Sequence, residues 1–417
     1  MSTLVIEGGQ RLSGAVEVGG NKNAALPLLA ACLLTGDECV LHNMPRISDV
    51  EVMARLLVDL GAEVDGVGTA TVRVRSQRLV KDQPDAALVG RLRGSVLLLG
   101  PLLARMGRAR LAPPGGDFPA RRTISTHLDA LEAMGARVLE GPGHHLETPQ
   151  GLTPATIYLY EASVTGTETA LLAAAAAKGI SEIRHAACEP HVAELCAFLR
   201  QMGIGVSGAG TSTITIEGGG RVSGAEHRLW GDYIEAGSWA VVAAVTGGEV
   251  DVRGARPEDI EVVGAVLQRL GIQCTIDGDL FRVERSRPQA AGRITTGLWP
   301  GFPSDLVSLV TVLATQADGR TLVHDWLYEL RLFALEQLSG MRADLFLCDP
   351  HRIIVTGPSR LQGRLLDSRD LRSGMALIAA GLAADGESRL APLETVERGY
   401  ARIVERLQTL GARVERR

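Results

Sequence analysis

The apolar positions of the chain follow two different helical patterns. In one pattern Val50, Met53 and Leu57 recur at helical spacing with charged residues between them, which predicts an amphipathic surface helix. In the other pattern the helix is apolar on all sides, so it must be buried on every side. Examples of this second pattern, of which one is expected in each of six units, are the stretches 24–34, 170–177, 240–245, 306–314 and 375–383. We therefore expect structural units that each combine one buried helix with one surface helix.

The amphipathic pattern ends six times in a related short motif, which indicates an internal repeat. At its first occurrence the motif reads Leu60-Gly61-Ala62-Glu63-Val64. Its glycine position recurs at intervals of roughly 70 residues. The six positions are Gly61, Gly135, Gly203, Gly271, Arg342 and Gly411. A glycine there is expected to end the helix in a left-handed conformation, after which a strand begins.

Six wholly buried helices cannot share one ordinary layer of a protein. The repeat therefore predicts a two-lobed α/β protein with three units in each lobe. The buried helices would lie inside each lobe, with sheets and surface helices around them. A β-α solenoid is the alternative architecture, but the buried helices disfavour an extended array.

Composition and charge exclude several classes of protein. The 417 residues carry a net charge of −5, which argues against a nucleic-acid partner. The apolar runs are too short to span a membrane, and the N-terminus has no signal-peptide pattern. The six cysteines lack the spacing of a metal site, so we expect buried thiols in a reducing compartment. These features predict a cytoplasmic protein that binds neither a metal nor nucleic acid.

Cations stand at the start of several of the apolar helices. Lys22, Arg93 and Arg372 occupy such positions, where the helix itself carries a positive partial charge. Because a cation there is unfavourable without a neutralising anion, the pattern predicts a site for an anionic ligand. The loop 113–122 adds a Gly-Gly pair, typical of a mobile lid. Motifs for nucleotide hydrolysis, dinucleotide binding and zinc catalysis are not found in the sequence.

Several segments of the chain resemble the enolpyruvyl transferases. They are Gly20-Asn21-Lys22-Asn23-Ala24-Ala25-Leu26-Pro27, Pro114-Gly115-Gly116-Asp117, Phe302-Pro303-Ser304-Asp305, Asp370-Leu371-Arg372 and Glu397-Arg398-Gly399-Tyr400. The resemblance covers essentially the whole chain, and it implies an inside-out α/β barrel with two lobes of three repeats each. One lobe would comprise 22–229, with a lid loop at about 111–122. The other lobe would be discontinuous and comprise 1–21 and 230–417.

The resemblance also implies a reaction. The enolpyruvyl group of phosphoenolpyruvate would be transferred to the 3-hydroxyl of UDP-N-acetylglucosamine, with release of phosphate, in peptidoglycan precursor synthesis. The reaction is an addition followed by an elimination. It needs a proton donor, a base and cations that bind phosphate and carboxylate, and it uses no cofactor. The partners would be these two small molecules, with no membrane and no nucleic acid.

Individual residues receive roles from the same resemblance. The catalytic residues would be Asp117 as proton donor, Asp305 as base, and Lys22. Those that bind phosphoenolpyruvate would be Lys22, Arg93, Arg122, Arg331, Arg372 and Arg398. Those that bind the acceptor would be Asn23, Arg93, Thr123, Ile124, Ser125, Thr126, His127, Ser163, Val164, Asp305 and Leu327. Arginine suits both anionic groups, because its planar guanidinium pairs with two oxygens at once.

The chain departs from the family pattern at three places. Asp117 stands where most members have a cysteine, so the epoxide antibiotic fosfomycin would find no thiol to alkylate. The family segment Arg-Pro-x-Asp-Leu/Met-His reads Arg122-Thr123-Ile124-Ser125-Thr126-His127 here, and Leu330 replaces a usual Asn. Two alternatives therefore stay open: a different nucleotide or sugar acceptor, or a paralogue that binds a sugar nucleotide without turnover. Transfer to shikimate 3-phosphate is disfavoured, because the Gly-Asn-Ala-Gly-Thr signature of that activity is missing.

Overall fold

The computed structural model of the chain describes residues 2–115, 123–329 and 331–417. The chain divides into two compact units. The central unit comprises Gly20–Trp230. The terminal unit is discontinuous and comprises Met1–Gly19 together with Gly231–Arg417.

The helices and strands alternate along both units. The helices are α1 (Lys22–Ala31), α2 (Ser48–Asp59), α3 (Ala86–Val89), α4 (Leu99–Met106), α5 (Ser125–Ala133), α6 (Val164–Ala174), α7 (Pro190–Gln201), α8 (Tyr233–Val245), α9 (Pro257–Arg269), α10 (Val307–Gln316), α11 (Gln337–Gly340), α12 (Leu371–Ala383), α13 (Leu393–Glu397) and α14 (Ile403–Thr409). Segments of 3₁₀ helix are Cys32–Leu34, Arg93–Leu98, Ser304–Leu306 and Arg331–Glu336.

The strands are β1 (Leu4–Glu7), β2 (Ser13–Glu17), β3 (Glu38–His42), β4 (Glu63–Asp65), β5 (Thr71–Arg75), β6 (Arg108–Leu111), β7 (Arg137–Leu139), β8 (His144–Glu147), β9 (Thr156–Tyr158), β10 (Gly179–Arg184), β11 (Gly205–Ser207), β12 (Thr213–Gly218), β13 (Glu226–Arg228), β14 (Glu249–Arg253), β15 (Cys274–Asp277), β16 (Leu280–Val283), β17 (Gly292–Thr295), β18 (Gly319–His324), β19 (Asp344–Asp349), β20 (Arg352–Gly357), β21 (Leu365–Asp367), β22 (Glu387–Ala391) and β23 (Arg413–Arg416).

Among the described residues, the strands form six small sheets, three in each unit. The central unit has the strand orders β13-β3-β5-β4, β6-β8-β7 and β11-β12-β10-β9. The terminal unit has the orders β15-β16-β14-β2, β17-β18-β20-β19 and β21-β22-β1-β23. Each four-stranded sheet has one parallel pair at an edge and antiparallel pairs beyond it. The N-terminal strands β1 and β2 complete two sheets of the terminal unit, which explains why that unit needs both chain ends.

The apolar stretches of the sequence are buried helices, as predicted. In α8 every residue from Tyr233 to Val245 is buried, and α12 is buried from Leu371 to Leu382. In the terminal unit α8, α10 and α12 pack pairwise against one another. Each fully buried leucine or valine contributes about 1.5–3 kcal/mol relative to an exposed one, so these helices form the centre of the core. In the described ranges, no helix combines the length and the apolar character that crossing a membrane requires.

The six repeat positions all adopt the left-handed conformation that was predicted. Gly61 has a φ of 106° and Gly411 a φ of 91°, and the other three glycines lie in the same region. The fifth position is Arg342, which adopts a φ of 70° although it has a side chain. A non-glycine residue in this conformation costs of order 1 kcal/mol or more. The fifth unit therefore stores backbone strain where the others have none.

The surface helix expected before Arg342 is not continuous. A 3₁₀ segment, Arg331–Glu336, is followed by the short helix α11. The buried leucines of this stretch, Leu332, Leu335 and Leu338, are spaced three apart. A spacing of three matches the 3₁₀ helix, which has three residues per turn, better than it matches the α-helix. The apolar pattern thus explains the departure from the predicted element.

Candidate active site

Asp305 lies at the centre of a charged cluster in the terminal unit. It belongs to the 3₁₀ turn that leads into α10, and its side chain is about a quarter exposed. The Nη1 atom of Arg331 lies 2.9 Å from Asp305 Oδ1. The Nη2 and Nε atoms of Arg372 lie 2.9 Å and 3.1 Å from Asp305 Oδ2. Three residues that the sequence predicted for one site are therefore brought together.

Arg372 is held at the start of α12 by its surroundings. Asp370 caps this helix by accepting hydrogen bonds from the backbone N–H groups of Arg372 and Ser373. The Arg372 Nη1 atom donates to the Tyr400 hydroxyl at 3.2 Å, and that hydroxyl lies 2.8 Å from Ser238 Oγ. Burial alone would lower the pKa of Arg372, but the nearby Asp305 carboxylate raises it, and the net shift is upward. The guanidinium therefore stays charged although it is buried.

The Arg331 side chain is largely buried, and its guanidinium stacks on an aromatic ring. Its guanidinium carbon lies 4.5 Å from the centre of the Tyr328 ring, a cation–π contact. Its Nη1 atom also donates to Ser304 Oγ at 3.1 Å. Burial lowers the pKa of Arg331, but Asp305, Tyr328 and Asp325 together raise it, and the net shift is upward. Two charged guanidinium groups thus face the same carboxylate.

Lys22 forms an ion pair within the central unit. Its Nζ atom lies 2.8 Å from Asp49 Oδ2, and both side chains are at most one-tenth exposed. Asn21 caps α1 by accepting a hydrogen bond from the backbone N–H of Asn23, so the predicted residues Lys22 and Asn23 form its first turn. The anion beside Lys22 is therefore a protein carboxylate, and the helix position alone does not require a ligand. The same holds for Arg372 with Asp305.

Residues of the predicted acceptor set cluster in the central unit. The Nη2 atom of Arg93 donates to the Thr123 carbonyl at 2.7 Å. The hydroxyls of Thr123 and Ser125 lie 2.9 Å apart. Ser163 caps α6, because its Oγ accepts a hydrogen bond from the Gly166 N–H at 3.2 Å. Ile124 is buried at the start of α5, and Val164 is the first residue of α6.

His127 is a buried, neutral histidine of this set. Its Nε2 atom lies 2.9 Å from the Thr165 hydroxyl. Its Nδ1 atom is buried and has no hydrogen-bond partner within the part of the chain that the structure describes. Burial, and then the charge of Arg93, lower the pKa of His127 to about 4. The ring can therefore donate or accept one further hydrogen bond without carrying charge.

Thr126 contacts an acidic residue, Glu161, that was not predicted from the sequence. Its hydroxyl donates to Glu161 Oε1 at 3.3 Å, and the Ser163 N–H donates to the Glu161 carbonyl at 2.7 Å. A carboxylate therefore lies among residues predicted to bind the acceptor. No periodicity in the sequence marks Glu161, because it lies in the loop between β9 and α6 while its partner Thr126 belongs to α5.

The remaining predicted residues are placed as follows. Arg398 is the half-buried residue that ends α13, and Leu327 lies half-buried in the loop after β18. Asp117, Arg122 and Leu330 lie outside the described residues, as does most of the predicted lid. The lid prediction also starts at Leu111, which is the last residue of β6. In residues 2–115, 123–329 and 331–417 there is no group of acidic, histidine and cysteine side chains that could hold a metal ion.

The family model of EPSP synthase (3-phosphoshikimate 1-carboxyvinyltransferase) matches residues 6–407. The chain belongs to this family of enolpyruvyl transferases. Within it, the UDP-N-acetylglucosamine 1-carboxyvinyltransferase of Treponema denticola is 40% identical over 423 residues, which cover 100% of this chain and 99% of that protein. The enzyme of the same name from Bradyrhizobium diazoefficiens is 40% identical over 420 residues, covering 99% of this chain and 97% of that protein.

Solved structures agree with this family and fold. The enolpyruvyl transferase NikO from Streptomyces tendae is similar with a TM-score of 0.89 and 26% identity, covering 100% of this chain and 98% of that one. EPSP synthase from Acinetobacter baumannii is similar with a TM-score of 0.75 and 19% identity, covering 100% of both chains. The second likeness concerns the fold alone.

Proposed function

We propose that this protein transfers the enolpyruvyl group of phosphoenolpyruvate to the 3-hydroxyl of UDP-N-acetylglucosamine and releases phosphate, a step of peptidoglycan precursor synthesis. The observation that carries the proposal is the pair of arginines, Arg331 and Arg372, on the two oxygens of Asp305. The full-length similarity to UDP-N-acetylglucosamine 1-carboxyvinyltransferases supports the same reaction. Both substrates are small molecules, and the chemistry needs no cofactor.

In the addition step, the acceptor hydroxyl oxygen attacks C2 of phosphoenolpyruvate. Asp305 takes the hydroxyl proton, while Asp117 gives a proton to the methylene carbon, which becomes a methyl group. In the elimination step, the C2–O bond breaks and phosphate leaves with the bonding electrons. The methyl group returns a proton to the Asp117 carboxylate, which restores the double bond. Cations stabilise the phosphate and carboxylate charges in both steps.

The cations divide between the two anionic groups of phosphoenolpyruvate. We assign Lys22, Arg93, Arg122 and Arg398 to the phosphate. Arg331 and Arg372 are assigned to the carboxylate, since their charged guanidinium groups already face one carboxylate, that of Asp305. We assign the acceptor to Asn23, Asp305, Leu327 and the residues around His127 and Ser163.

We also infer the finer architecture of the family, an inside-out barrel of six repeats. The shared strand pattern of the four-stranded sheets supports this, as do the six left-handed positions at regular intervals. The two lobes would correspond to 22–229 and to 1–21 with 230–417. We assign the protein to the cytoplasm, because its six cysteines are all unpaired thiols.

The test is phosphate release from phosphoenolpyruvate by the purified protein. Turnover is expected with UDP-N-acetylglucosamine and not with shikimate 3-phosphate. Asp305→Asn should lower kcat at least about a hundredfold, because general base catalysis contributes 10² or more. Asp344→Asn, an exposed acid in β19, is the matched control and should keep its activity. If the protein binds phosphoenolpyruvate but releases no phosphate with UDP-N-acetylglucosamine, this sugar nucleotide is not the acceptor.

A second function, transfer to a different nucleotide acceptor, is favoured by one observation. The Glu161 carboxylate lies at Thr126, within the proposed acceptor set, and it would repel a diphosphate. The similarity to NikO shows that enolpyruvyl transferases with other names share this fold closely. UMP, which carries one phosphate, is therefore included as a parallel acceptor. A higher kcat/KM with UMP than with the UDP-sugar would establish this second function.

A further inference from the structure

A buried carboxyl group, Asp325, lies behind the Asp305 cluster and has no role in the reaction described above. It directly follows β18 and is completely buried. Its Oδ1 atom accepts hydrogen bonds from Thr296 Oγ1 at 2.7 Å and from the Leu327 N–H at 3.3 Å. Its Oδ2 atom accepts one from Ser304 Oγ at 2.7 Å. Burying a carboxylate is costly unless hydrogen bonds satisfy it, and these three bonds do so.

Ser304 connects this carboxylate to Arg331. The Ser304 hydroxyl has one hydrogen, which points to Asp325, so its lone pairs face the other way. Arg331 Nη1 donates to that oxygen at 3.1 Å, and to Asp305 at 2.9 Å. If Asp325 lost its charge, the hydroxyl could rotate and present its hydrogen to the guanidinium. Asp325 therefore keeps Ser304 in the orientation that accepts from Arg331.

Asp325 also fixes the start of the loop that carries Arg331. Its carboxylate accepts from the Leu327 N–H, and Leu327 is one of the proposed acceptor residues. Its backbone N–H donates to the His351 carbonyl at 2.8 Å, and its carbonyl oxygen lies 2.7 Å from His351 Nδ1. The backbone of Asp325 thus anchors the segment that follows β18 to His351, and its side chain binds Leu327 in the same segment.

We propose that Asp325 is a positioning residue for enolpyruvyl transfer, which orients the Arg331 guanidinium through Ser304. The proposal rests on the proposed function, since it assigns Arg331 to the carboxylate of phosphoenolpyruvate. Asp325 touches neither substrate. Its loss should therefore weaken the binding of phosphoenolpyruvate and leave the chemical step largely intact.

The first experiment measures steady-state kinetics of Asp325→Asn in the full-length protein. The KM for phosphoenolpyruvate should rise about tenfold, the typical effect of a lost hydrogen bond to a charged group, while kcat stays within about twofold. Thr296→Val is the matched control, because it removes another hydrogen bond from the same carboxylate at the same depth. It should lower the melting temperature and leave the KM for phosphoenolpyruvate unchanged. An equal rise of KM in both variants would contradict the proposal.

The second experiment is a double-mutant cycle with Ser304→Ala. If Asp325 acts through Ser304, the double variant should raise KM no more than the stronger single variant does. If the rise of KM in the double variant equals the product of the two single-variant rises, the two residues act separately and the proposal is overturned. Ser304→Ala alone also supplies the comparison if Asp325→Asn does not fold, and it should raise the same KM about tenfold.

Direct binding separates this proposal from the proposed function. Calorimetry with phosphoenolpyruvate alone measures its Kd for the wild type, Asp325→Asn and Thr296→Val. A tenfold weaker Kd in Asp325→Asn alone supports the positioning role even if no acceptor is turned over. Unchanged Kd and KM, with only a lower melting temperature, would reduce Asp325 to a structural residue. If the wild type binds no phosphoenolpyruvate, both the positioning role of Asp325 and the proposed function are refuted.

Discussion

Single residues set the charge balance of the candidate site. Lys22 is paired with Asp49, and Arg331 and Arg372 are paired with Asp305. The positions of Lys22 and Arg372 at helix starts are visible in the sequence. Their partners are not, because each carboxylate comes from a different element of the fold. Sequence reasoning therefore predicted the cations and assigned their counter-charge to a ligand, while the protein supplies it.

The acceptor half of the site yields the first prediction. Replacing the Glu161 carboxylate by an amide in Glu161→Gln removes a negative charge beside Thr126. The kcat/KM for UDP-N-acetylglucosamine should rise roughly threefold to tenfold, because the repulsion of the diphosphate then falls by about 1 kcal/mol in total. The KM for phosphoenolpyruvate should not change. Glu217→Gln, an exposed acid in β12, is the control, and equal kinetics in both variants would contradict the prediction.

The second prediction concerns acid stability and comes from His127. Its pKa in the folded protein is about 4, against about 6.5 for an ordinary histidine. Below pH 6.5 the His127 ring binds a proton in the unfolded chain but not in the folded chain, until the pH approaches 4. Stability is therefore lost as the pH falls from about 6.5 to 4, by about 2 kcal/mol at pH 5.

His127→Gln should remove this part of the pH dependence. Melting temperatures at pH 7.5 and pH 5 should differ less in the variant than in the wild type. Thr165→Val is the control, since it removes the hydroxyl partner but keeps the titrating ring. If wild type and His127→Gln lose the same stability between these two pH values, the histidine does not titrate as inferred.

Secondary-structure elements were the part of the fold that the sequence predicted best. The buried helices and the left-handed helix ends depend on local patterns, namely apolar residues on all sides and a glycine after the last turn. The segment Arg331–Glu336 was missed for a physical reason. A surface helix before Arg342 was expected only because the other repeat units have one. The spacing of three among Leu332, Leu335 and Leu338 instead matches the 3₁₀ helix.

The third prediction uses the one repeat position that is not glycine. Arg342 is exposed and has a φ of 70°. Arg342→Gly should raise the free energy of unfolding by about 1 kcal/mol, because glycine adopts this conformation without strain. Gly411→Ala, at the last repeat position, should lower it by a similar amount. Urea unfolding measures both variants, and a destabilised Arg342→Gly would mean that the arginine side chain contributes more than the strain costs.

At the scale of the whole molecule, the repeat and the family motifs together predicted a mixed α/β enolpyruvyl transferase. Contacts between residues far apart in the sequence could not be predicted. Asp305 contacts Arg331 and Arg372, which lie 26 and 67 residues further along the chain. Asp325 contacts Thr296 and Ser304, which lie 29 and 21 residues before it. No local pattern encodes such meetings. The family resemblance supplied the first group, because its motifs mark those residues, and it missed Asp325, which lies in none of the motifs.

The last prediction concerns the folding of the two units. In the central unit, each strand pairing that the structure describes closes between residues 20 and 230. A fragment of residues 20–230 should therefore fold alone and unfold cooperatively, as measured by circular dichroism and hydrogen exchange. The terminal unit is different, because β1 lies between β22 and β23 in one sheet and comes from the other end of the chain.

A fragment of residues 231–417 alone should thus leave β22 and β23 with unpaired edges and should aggregate. Joining residues 1–19 directly to 231–417 should restore folding, since the Asp232 N–H already donates to the Gly19 carbonyl at 2.9 Å. The two fragments form a matched pair that differs only in the N-terminal strands. If 231–417 folds as well as the joined fragment, strand pairing by β1 is dispensable. If 20–230 has no cooperative transition, the central unit is not an independent folding unit.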